Sequence, residues 1–341
     1  MGLTRRGFVA AATATLAMPA IGRAQGKTLK LSHYLPPQHQ INTELNRWAD
    51  EIRELSGGAV EIQVFPAGQM GKPPEQYDIA RRGIADLSFV FTALNPGRFP
   101  LIDAFSLPFL FADDEGNPLS SADASWIATS LKDKTAEEFR SVDLLYAVVS
   151  TSAGWFMRDK LIEKPSDLAG LRIRPTNPAT AAQLKAVDAS PATIPPTELA
   201  DALSKGVVDG AIFNFEGGKV FQLQQAVKKV STLANTVGYF CLVINNDTLA
   251  SLPEEGRKAI EQTTGPEAGR RVGGLYDAAE VTGRAFMEGE GIEVLDLRGE
   301  AADAFRQAFQ PVADAQVAAL EADGKDIDGL IAEIQKLKAQ V

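Results

Sequence analysis

The sequence predicts an α/β protein of two lobes, each with a mixed sheet covered by helices. Strand-like and helix-like segments alternate along the chain, which is typical of this fold class. Two extended segments, at 150–156 and 236–244, are placed where the chain would pass between lobes. After the N-terminus no stretch has the roughly 18 uninterrupted apolar residues of a membrane helix. The length of 341 residues is enough for two domains with ordinary apolar cores.

The first 24 residues have the pattern of an export signal. Arg5 and Arg6 precede a short apolar run, Val9 to Ile21, which ends in small residues before a cleavage site near Ala24. The pattern resembles a twin-arginine signal, and an ordinary Sec signal with two chance arginines is the alternative. Either signal predicts a mature chain in the periplasm.

A βαβ unit begins the mature chain. Apolar residues alternate with polar ones at 29–33, 60–64 and 87–91, and this period of two predicts strands. Between the first two strands, an apolar stripe from Ile41 to Leu55 predicts a helix.

Similar alternation continues after residue 140. Strands are expected at 144–149, 171–173 and 207–213, and helices at 179–187 and 197–204. Such units predict a mainly parallel sheet with helices on both faces. A helical stretch from Pro253 to Gly289, with a kink at Gly265, and an amphipathic helix at 330–337 complete the chain.

The two extended segments are interpreted as crossings between the lobes, because neither contains obvious turn residues. Each lobe is then discontinuous in sequence. The predicted division assigns residues 25–151 and about 239–279 to the first lobe, and about 152–238 and about 280–341 to the second.

Composition excludes several functional classes. Removal of residues 1–24 takes away three arginines and no acid, which changes the formal net charge from −10 to −13. A chain this acidic does not hold a nucleic acid by neutralising phosphates. Cys241 is the single cysteine, and two histidines without a Cys/His cluster exclude a structural zinc site. We therefore expect no metal and no cofactor.

Motifs for catalysis are missing from the sequence. It contains no Walker loop, no G-x-G-x-x-G after a strand and no G-x-S-x-G elbow. His33, on the apolar side of the first strand, is interpreted as a hydrogen-bonded wall residue. His39 precedes the first helix, and its place remains open between a pocket rim and a solvated loop. We expect a binding protein, and an exported enzyme with His33 as its base is the alternative.

Arg174 occupies the last position of a predicted strand, in the segment LAGLRIRPTNPAT. In open α/β sheets, ligands bind at this end of the strands. Pro175 restricts Arg174 to an extended backbone, so the guanidinium is held where it suits a bidentate carboxylate. Asn177 and Pro178 provide the N-cap and first position of the next helix. From these residues alone, a ligand clamp and a surface salt bridge both remain open.

Six segments in a fixed order resemble a known family. They are FPAGQMG (65–71), GIAD (83–86), SLPFLF (106–111), PSDLAGLRIRP (165–175), ASP followed by PPTELADAL (189–203), and GVVDGAIFN (206–214). Together they are similar to the periplasmic solute-binding proteins of tripartite ATP-independent periplasmic (TRAP) transporters, the C4-dicarboxylate-binding family. The resemblance covers essentially the whole mature chain.

The resemblance implies a fold like that of type II periplasmic binding proteins, with two α/β lobes joined by strand crossings and a long helix. Such a receptor closes on a small organic acid and docks on a small and a large membrane subunit. In the family, the second arginine of the LRIR-like segment, here Arg174, clamps the substrate carboxylate, and the following asparagine, here Asn177, approaches the ligand. A receptor for an ATP-driven importer or a sensor kinase is the alternative.

Departures from the family pattern indicate the class of ligand. A second arginine that some members carry before the clamp is replaced near Gly154, and apolar residues follow Gly210. The residues expected at the cleft are His33, Tyr34, Phe91, Thr92, Trp155, Phe156, Arg174, Asn177, Phe213, Asn214, Phe215 and Glu216.

One fixed cation in an apolar cavity leaves a second ligand carboxylate unpaired, at a cost of several kcal/mol. We therefore expect an organic monocarboxylate with an apolar or aromatic body, such as an aryl, branched-chain or 2-oxo acid. His33, Asn214 or Glu216 would contact a hydroxyl or keto group. A C4-dicarboxylate or another organic acid is the alternative ligand.

Overall fold

The computed structural model describes residues 26–113 and 117–341, so the predicted export signal lies outside the described residues. The strands are β1 (Lys27–Ser32), β2 (Val60–Phe65), β3 (Leu87–Phe91), β4 (Val142–Val149), β5 (Ala153–Met157), β6 (Arg172–Arg174), β7 (Ser190–Pro191), β8 (Gly210–Phe213), β9 (Lys229–Thr236), β10 (Tyr239–Asn245) and β11 (Glu293–Asp296).

Helices alternate with these strands. They are α1 (Gln40–Leu55), α2 (Gln76–Arg81), α3 (Pro100–Ala104), α4 (Ser121–Ser130), α5 (Lys132–Thr135), α6 (Pro178–Ala186), α7 (Leu199–Ser204), α8 (Phe215–Val220), α9 (Asn246–Ala250), α10 (Glu254–Thr263), α11 (Pro266–Gly289), α12 (Glu300–Ala322) and α13 (Ile327–Lys338).

The strands form two mixed sheets, and each sheet with its helices is called a lobe. The first lobe has the strand order β2-β1-β3-β10-β4, with β10 antiparallel to both neighbours. The second has the order β11-β9-β5-β8-β6-β7, with β5 antiparallel to both neighbours. The two-lobed α/β fold is confirmed. Three of the five strand pairs in the second sheet are parallel, and the two antiparallel pairs are those of β5, which enters the sheet from the other lobe.

Two short segments carry the chain between the lobes. Residues 150–152 join β4 to β5, and residues 237–238 join β9 to β10. The backbone N–H of Ser150 donates to the Gly238 carbonyl at 2.8 Å, and the Gly238 N–H donates to Ser150 Oγ at 2.8 Å. The two crossings therefore form one hydrogen-bonded hinge, inside the segments where the sequence predicts them.

The long helix α11 is a third link between the lobes, because it packs on α4 and β4 of the first lobe and on α8 of the second. Gly273 allows the close approach to α4, since a Cβ at this position would lie 2.3 Å from the Ser121 carbonyl oxygen. Gly265, at φ 90°, separates α10 from α11. The kink predicted there is a complete break between two helices.

The last two helices both reach the first lobe. Helix α12 contacts α6 of the second lobe and α3 of the first, whereas α13 contacts α4 of the first. Ile327, Leu330 and Ile334 of α13 are buried in the apolar core of the first lobe. The predicted division placed this helix in the second lobe, and its apolar stripe packs elsewhere. The remaining lobe boundaries stay a prediction.

Two general properties concern the described part of the chain. None of its helices has both the length and the hydrophobicity needed to cross a membrane. It also contains no group of three or more His, Cys, Asp or Glu side chains placed to hold a metal ion. Cys241 is buried in β10, and burial raises the pKa of its thiol, so this side chain acts in packing.

Candidate functional site

Arg174 ends β6 at the edge of the cleft between the lobes. It is only 2% exposed, although it carries a formal charge. Pro175 follows it, and Asn177 caps α6 by accepting a hydrogen bond from the Thr180 N–H at 2.9 Å. The strand end, the proline and the capped helix therefore hold the Arg174 backbone in the extended conformation that the sequence predicts.

The Arg174 guanidinium makes contacts only with neutral groups among the described residues. Nε donates to the Ile194 carbonyl at 3.1 Å and Nη1 donates to the Ile212 carbonyl at 3.3 Å. The Phe213 ring lies 5.3 Å from the guanidinium carbon, in a cation–π contact. Burial lowers the pKa of Arg174 to about 10, so the group is still cationic at neutral pH. Within these residues it has no ion pair with a carboxylate, which marks it as a buried cation available to an anionic ligand.

Arg174 faces a narrow cavity between the lobes. The cavity has a volume of about 50 Å³. The lining residues are Tyr34, Leu35, His39, Phe91, Ser150, Ala153, Arg174, Thr176, Pro196, Phe213, Asn214, Glu216, Gly217, Phe221, Gly238, Phe240 and Tyr276. Both lobes and both crossings contribute to this lining, so a molecule bound here would contact all of them.

Six of the seventeen residues that line the cavity are phenylalanine or tyrosine. The Phe91 and Phe240 rings are stacked, with centroids 4.5 Å apart and planes 17° apart. Phe213 and Phe221 form an edge-to-face pair with centroids 6.0 Å apart on the second lobe. Flat apolar faces on two sides suit a flat or branched apolar ligand body.

Glu216 connects the two lobes within this cavity. Its Oε1 atom accepts a hydrogen bond from Gln40 Nε2 at 2.7 Å and lies 2.9 Å from His39 Nε2. His39 Nδ1 accepts from the Ile41 N–H at 3.1 Å, so Nε2 carries the proton that is donated to Glu216. His39 and Gln40 belong to the first lobe and Glu216 to the second, so these contacts join the two faces of the cleft.

The start of α8 determines where Glu216 lies. The backbone N–H groups of Phe215 and Glu216 donate to the carboxyl oxygens of Glu280 at 3.0 and 2.8 Å. Asn214 caps the helix by accepting from the Gly217 N–H at 3.2 Å. Burial raises the pKa of Glu280 to about 7. Glu280 lies on α11, so the linking helix positions the residue that bridges the cleft.

The cavity lining contains one arginine and one glutamate as its ordinarily charged groups. A ligand that places one carboxylate at Arg174 would expose a second carboxylate either to aromatic rings or to Glu216. Both environments are unfavourable to an anion, the first through desolvation and the second through repulsion of like charge. The electrostatics of the cavity therefore favour a single negative charge on the ligand.

The structure places six of the twelve predicted cleft residues on the cavity wall. They are Tyr34, Phe91, Arg174, Phe213, Asn214 and Glu216. The other six do not line this cavity, although two of them, Phe156 and Phe215, border a neighbouring one: His33, Thr92, Trp155, Phe156, Asn177 and Phe215.

Trp155 and Phe156 lie in the cores of the second lobe. The Trp155 ring packs on Phe305 with centroids 4.5 Å apart, and Phe156 packs on Phe215 with centroids 5.2 Å apart. Both faces of the second sheet are covered, so the successive aromatic side chains of β5 point into two separate apolar clusters. The expectation that these rings contact a ligand stays a prediction.

His33, Thr92 and Asn177 are occupied by contacts within the protein. His33 is 0% exposed, its Nε2 lies 3.1 Å from the Asn42 side-chain oxygen, and burial lowers its pKa to about 4. Thr92 Oγ1 donates to the Tyr239 carbonyl at 3.1 Å. Asn177 Nδ2 donates to Thr236 Oγ1 at 3.1 Å, which ties α6 to the end of β9. These side chains support the walls and do not reach the cavity.

The sequence interpretation missed several cavity residues. His39 is a rim residue, one of the two possibilities left open for it. Phe240 follows the second crossing, where alternation of apolar residues could have indicated that it faces the cleft. Tyr276 lies in the middle of α11, and no local pattern distinguishes it from an ordinary core residue.

Comparison with known proteins gives relatives along almost the full length. The C4-dicarboxylate-binding periplasmic protein DctP of Rhodobacter capsulatus is 24% identical over 321 residues, which cover 92% of this chain and 94% of the relative. A TRAP solute-binding protein from a marine metagenome, specific for aromatic acids and crystallised with 3-hydroxybenzoate, has the same fold. Its TM-score is 0.86 at 24% identity, over 93% of this chain and 99% of that one.

A further solved structure is the TRAP periplasmic solute-binding protein of Bordetella bronchiseptica with bound (R)- and (S)-mandelate. It is 27% identical with a TM-score of 0.83, and the match covers 92% of this chain and 100% of that one. The profile of the DctP family, described as bacterial extracellular solute-binding protein family 7, matches residues 31–319. The resemblance found in the sequence is confirmed, and the chain belongs to this family of solute-binding proteins, which are receptors rather than enzymes.

Proposed function

We propose that the protein is the periplasmic receptor of a TRAP transporter and that it captures an organic monocarboxylate with an apolar or aromatic body. One observation carries the ligand proposal: Arg174 is a buried cation without a carboxylate partner among the described residues, and it faces a cavity with aromatic walls. A ligand carboxylate would supply the missing charge through the guanidinium fork. The bound acid would then be handed to a small and a large membrane subunit.

The aromatic-acid ligands of two similar proteins support this class of ligand. The dicarboxylate-binding relative from Rhodobacter capsulatus supports the alternative, a C4-dicarboxylate. Glu216 argues against that alternative, because the second carboxylate of a bound dicarboxylate would lie in a cavity that already contains this acid.

The clamp is tested by calorimetric titration of benzoate, phenylpyruvate, 4-methyl-2-oxopentanoate and succinate into the mature protein and its Arg174→Ala variant. Loss of one partner of a buried charge pair costs about 2–5 kcal/mol, so the best monocarboxylate should bind the variant at least ~30-fold more weakly. Arg174→Lys keeps the charge without the fork and should give an intermediate loss.

Arg172→Ala is the matched control, since Arg172 lies on the same strand, is exposed, and pairs with Asp209. This variant should bind like the wild type. An Arg174→Ala variant with unchanged affinity would refute the clamp. Tighter binding of succinate than of every monocarboxylate would refute the ligand class, even with the clamp intact.

A further inference from the structure

Tyr276 brings an unpaired hydroxyl to the cavity wall. The residue is 1% exposed, and its OH has no hydrogen-bond partner among the described residues. Its ring contacts His39 edge-on, with centroids 6.2 Å apart, and lies 5.8 Å from the Phe240 ring. A buried hydroxyl without a partner costs about 1–3 kcal/mol, so its presence at a binding cavity needs an explanation.

Other buried polar atoms of the described residues also lack partners, but they lie elsewhere. They include His33 Nδ1, Trp155 Nε1, Gln183 Nε2, Asn235 Oδ1 and Tyr239 OH. None of these residues lines the cavity around Arg174, whereas Tyr276 does. Among the described residues, Tyr276 is thus the one case in which an unpaired buried polar atom belongs to a residue of the cavity wall.

Neighbouring protein groups do not satisfy this hydroxyl. Glu216 is close enough to act electrostatically on Tyr276, but its Oε1 already accepts from Gln40 and faces His39. No hydrogen bond joins Glu216 to Tyr276 in the described structure. A partner for this hydroxyl would therefore come from outside the described residues, and a molecule bound in the cavity can supply one.

Resting on the proposed monocarboxylate function, we propose that Tyr276 is the second recognition point of the site and that the ligand carries a hydroxyl or keto oxygen in addition to its carboxylate. Burial raises the pKa of Tyr276 well above its usual value, so the phenol stays protonated. A protonated phenol donates to a keto oxygen, and it donates to or accepts from a hydroxyl. The ligand class is therefore an oxygenated aryl or branched monocarboxylate, namely a hydroxy or oxo acid.

The positions of the two recognition groups give this contact a further consequence. Arg174 belongs to the second lobe, whereas Tyr276 lies in the apolar core of the first. A ligand that binds both would connect the lobes through its own two polar ends. The hydroxyl or keto oxygen of the ligand would increase the affinity of the closed form, in which Arg174 and Tyr276 line the same cavity.

Matched acids that differ only in the oxygen test the proposal. Calorimetry would compare benzoate with 2-, 3- and 4-hydroxybenzoate, and phenylacetate with mandelate and phenylglyoxylate, in the wild type and in Tyr276→Phe. The wild type should bind at least one oxygenated acid more tightly than its parent. Tyr276→Phe should reduce that preference by about fivefold to tenfold, the size of one net hydrogen bond, and leave the parent acid within about twofold.

Tyr239→Phe is the matched control, because Tyr239 is also a buried tyrosine with an unpaired hydroxyl but lies outside the cavity. It should leave all affinities unchanged. If Tyr276→Phe binds every oxygenated acid as tightly as the wild type does, the Tyr276 proposal is overturned while the monocarboxylate function stands. If the wild type binds none of the monocarboxylates, the proposed function itself fails, and the proposal for Tyr276 fails with it.

Discussion

Gln40→Ala should weaken ligand binding although Gln40 need not touch the ligand. Gln40 belongs to the first lobe and donates from Nε2 to Glu216 Oε1 of the second lobe at 2.7 Å. This bond spans the cleft, so it forms only when the lobes are together. Its loss should shift the protein toward the open form and reduce the fraction that is competent to hold a ligand.

The expected size follows from the geometry of this bond. A hydrogen bond to a charged group contributes about 1.5–3 kcal/mol, and Gln40 is partly exposed, so the lower end applies. About 1.5 kcal/mol corresponds to an affinity roughly tenfold weaker. His39 keeps its own contact with Glu216 at 2.9 Å, which limits the loss. Glu216→Ala removes the acceptor for both residues and should have the larger effect.

Calorimetry with the tightest monocarboxylate measures the affinity, and stopped-flow fluorescence measures the rate of ligand release. Gln40→Ala should speed release more than it slows association, because the lost contact holds the closed state. Gln38→Ala is the control, since Gln38 is exposed in the same loop. An affinity for Gln40→Ala within twofold of the wild type would refute the inference that the hydrogen bond between Gln40 and Glu216 stabilises the closed form.

Two further predictions concern stability. Burial raises the pKa of Asp103 and of Glu138 to about 7, so the folded state binds more protons than the unfolded state. The free energy of unfolding should therefore fall by up to about 6 kcal/mol as the pH rises from about 4 to about 7. Urea denaturation across this range measures the slope, which Asp103→Asn should flatten; an unchanged slope in that variant would exclude the assignment. Gly273→Ala should destabilise the protein by about 1–3 kcal/mol, because its Cβ would meet the Ser121 carbonyl oxygen at 2.3 Å. Gly274→Ala, next to it in α11 with nothing within 4 Å, should stabilise by about 0.5–1 kcal/mol, and equal melting temperatures for the two variants would contradict the packing argument.

Local sequence rules predicted the parts of the site that depend on neighbours in the chain. Arg174 follows an alternating strand and precedes Pro175, so its backbone conformation and its place at the strand end were predictable. The cap at Asn177 was also predictable, because capping involves residues three positions apart. The expected contact of Asn177 with the ligand came from the family resemblance alone and stays a prediction; in the structure its amide donates to Thr236 Oγ1.

The faces of the aromatic residues were less predictable. Phe213 lines the cavity while Trp155 and Phe156 lie in cores, although all three belong to strands of one sheet. A period of two separates the faces of a strand but does not say which face the cleft will use. That choice depends on which strands pair and on how the second lobe meets the first.

By itself the sequence determined the alternation of strands and helices, the two crossings and the strand-end arginine, because each depends on patterns within a few residues of one another. Only the tertiary structure decided that Gln40 and Glu216, 176 positions apart, meet across the cleft and that Tyr276 brings an unpaired hydroxyl to the same cavity. Contacts of this kind form when the two lobes come together. They join residues that are far apart in the sequence, so no local sequence pattern predicts them.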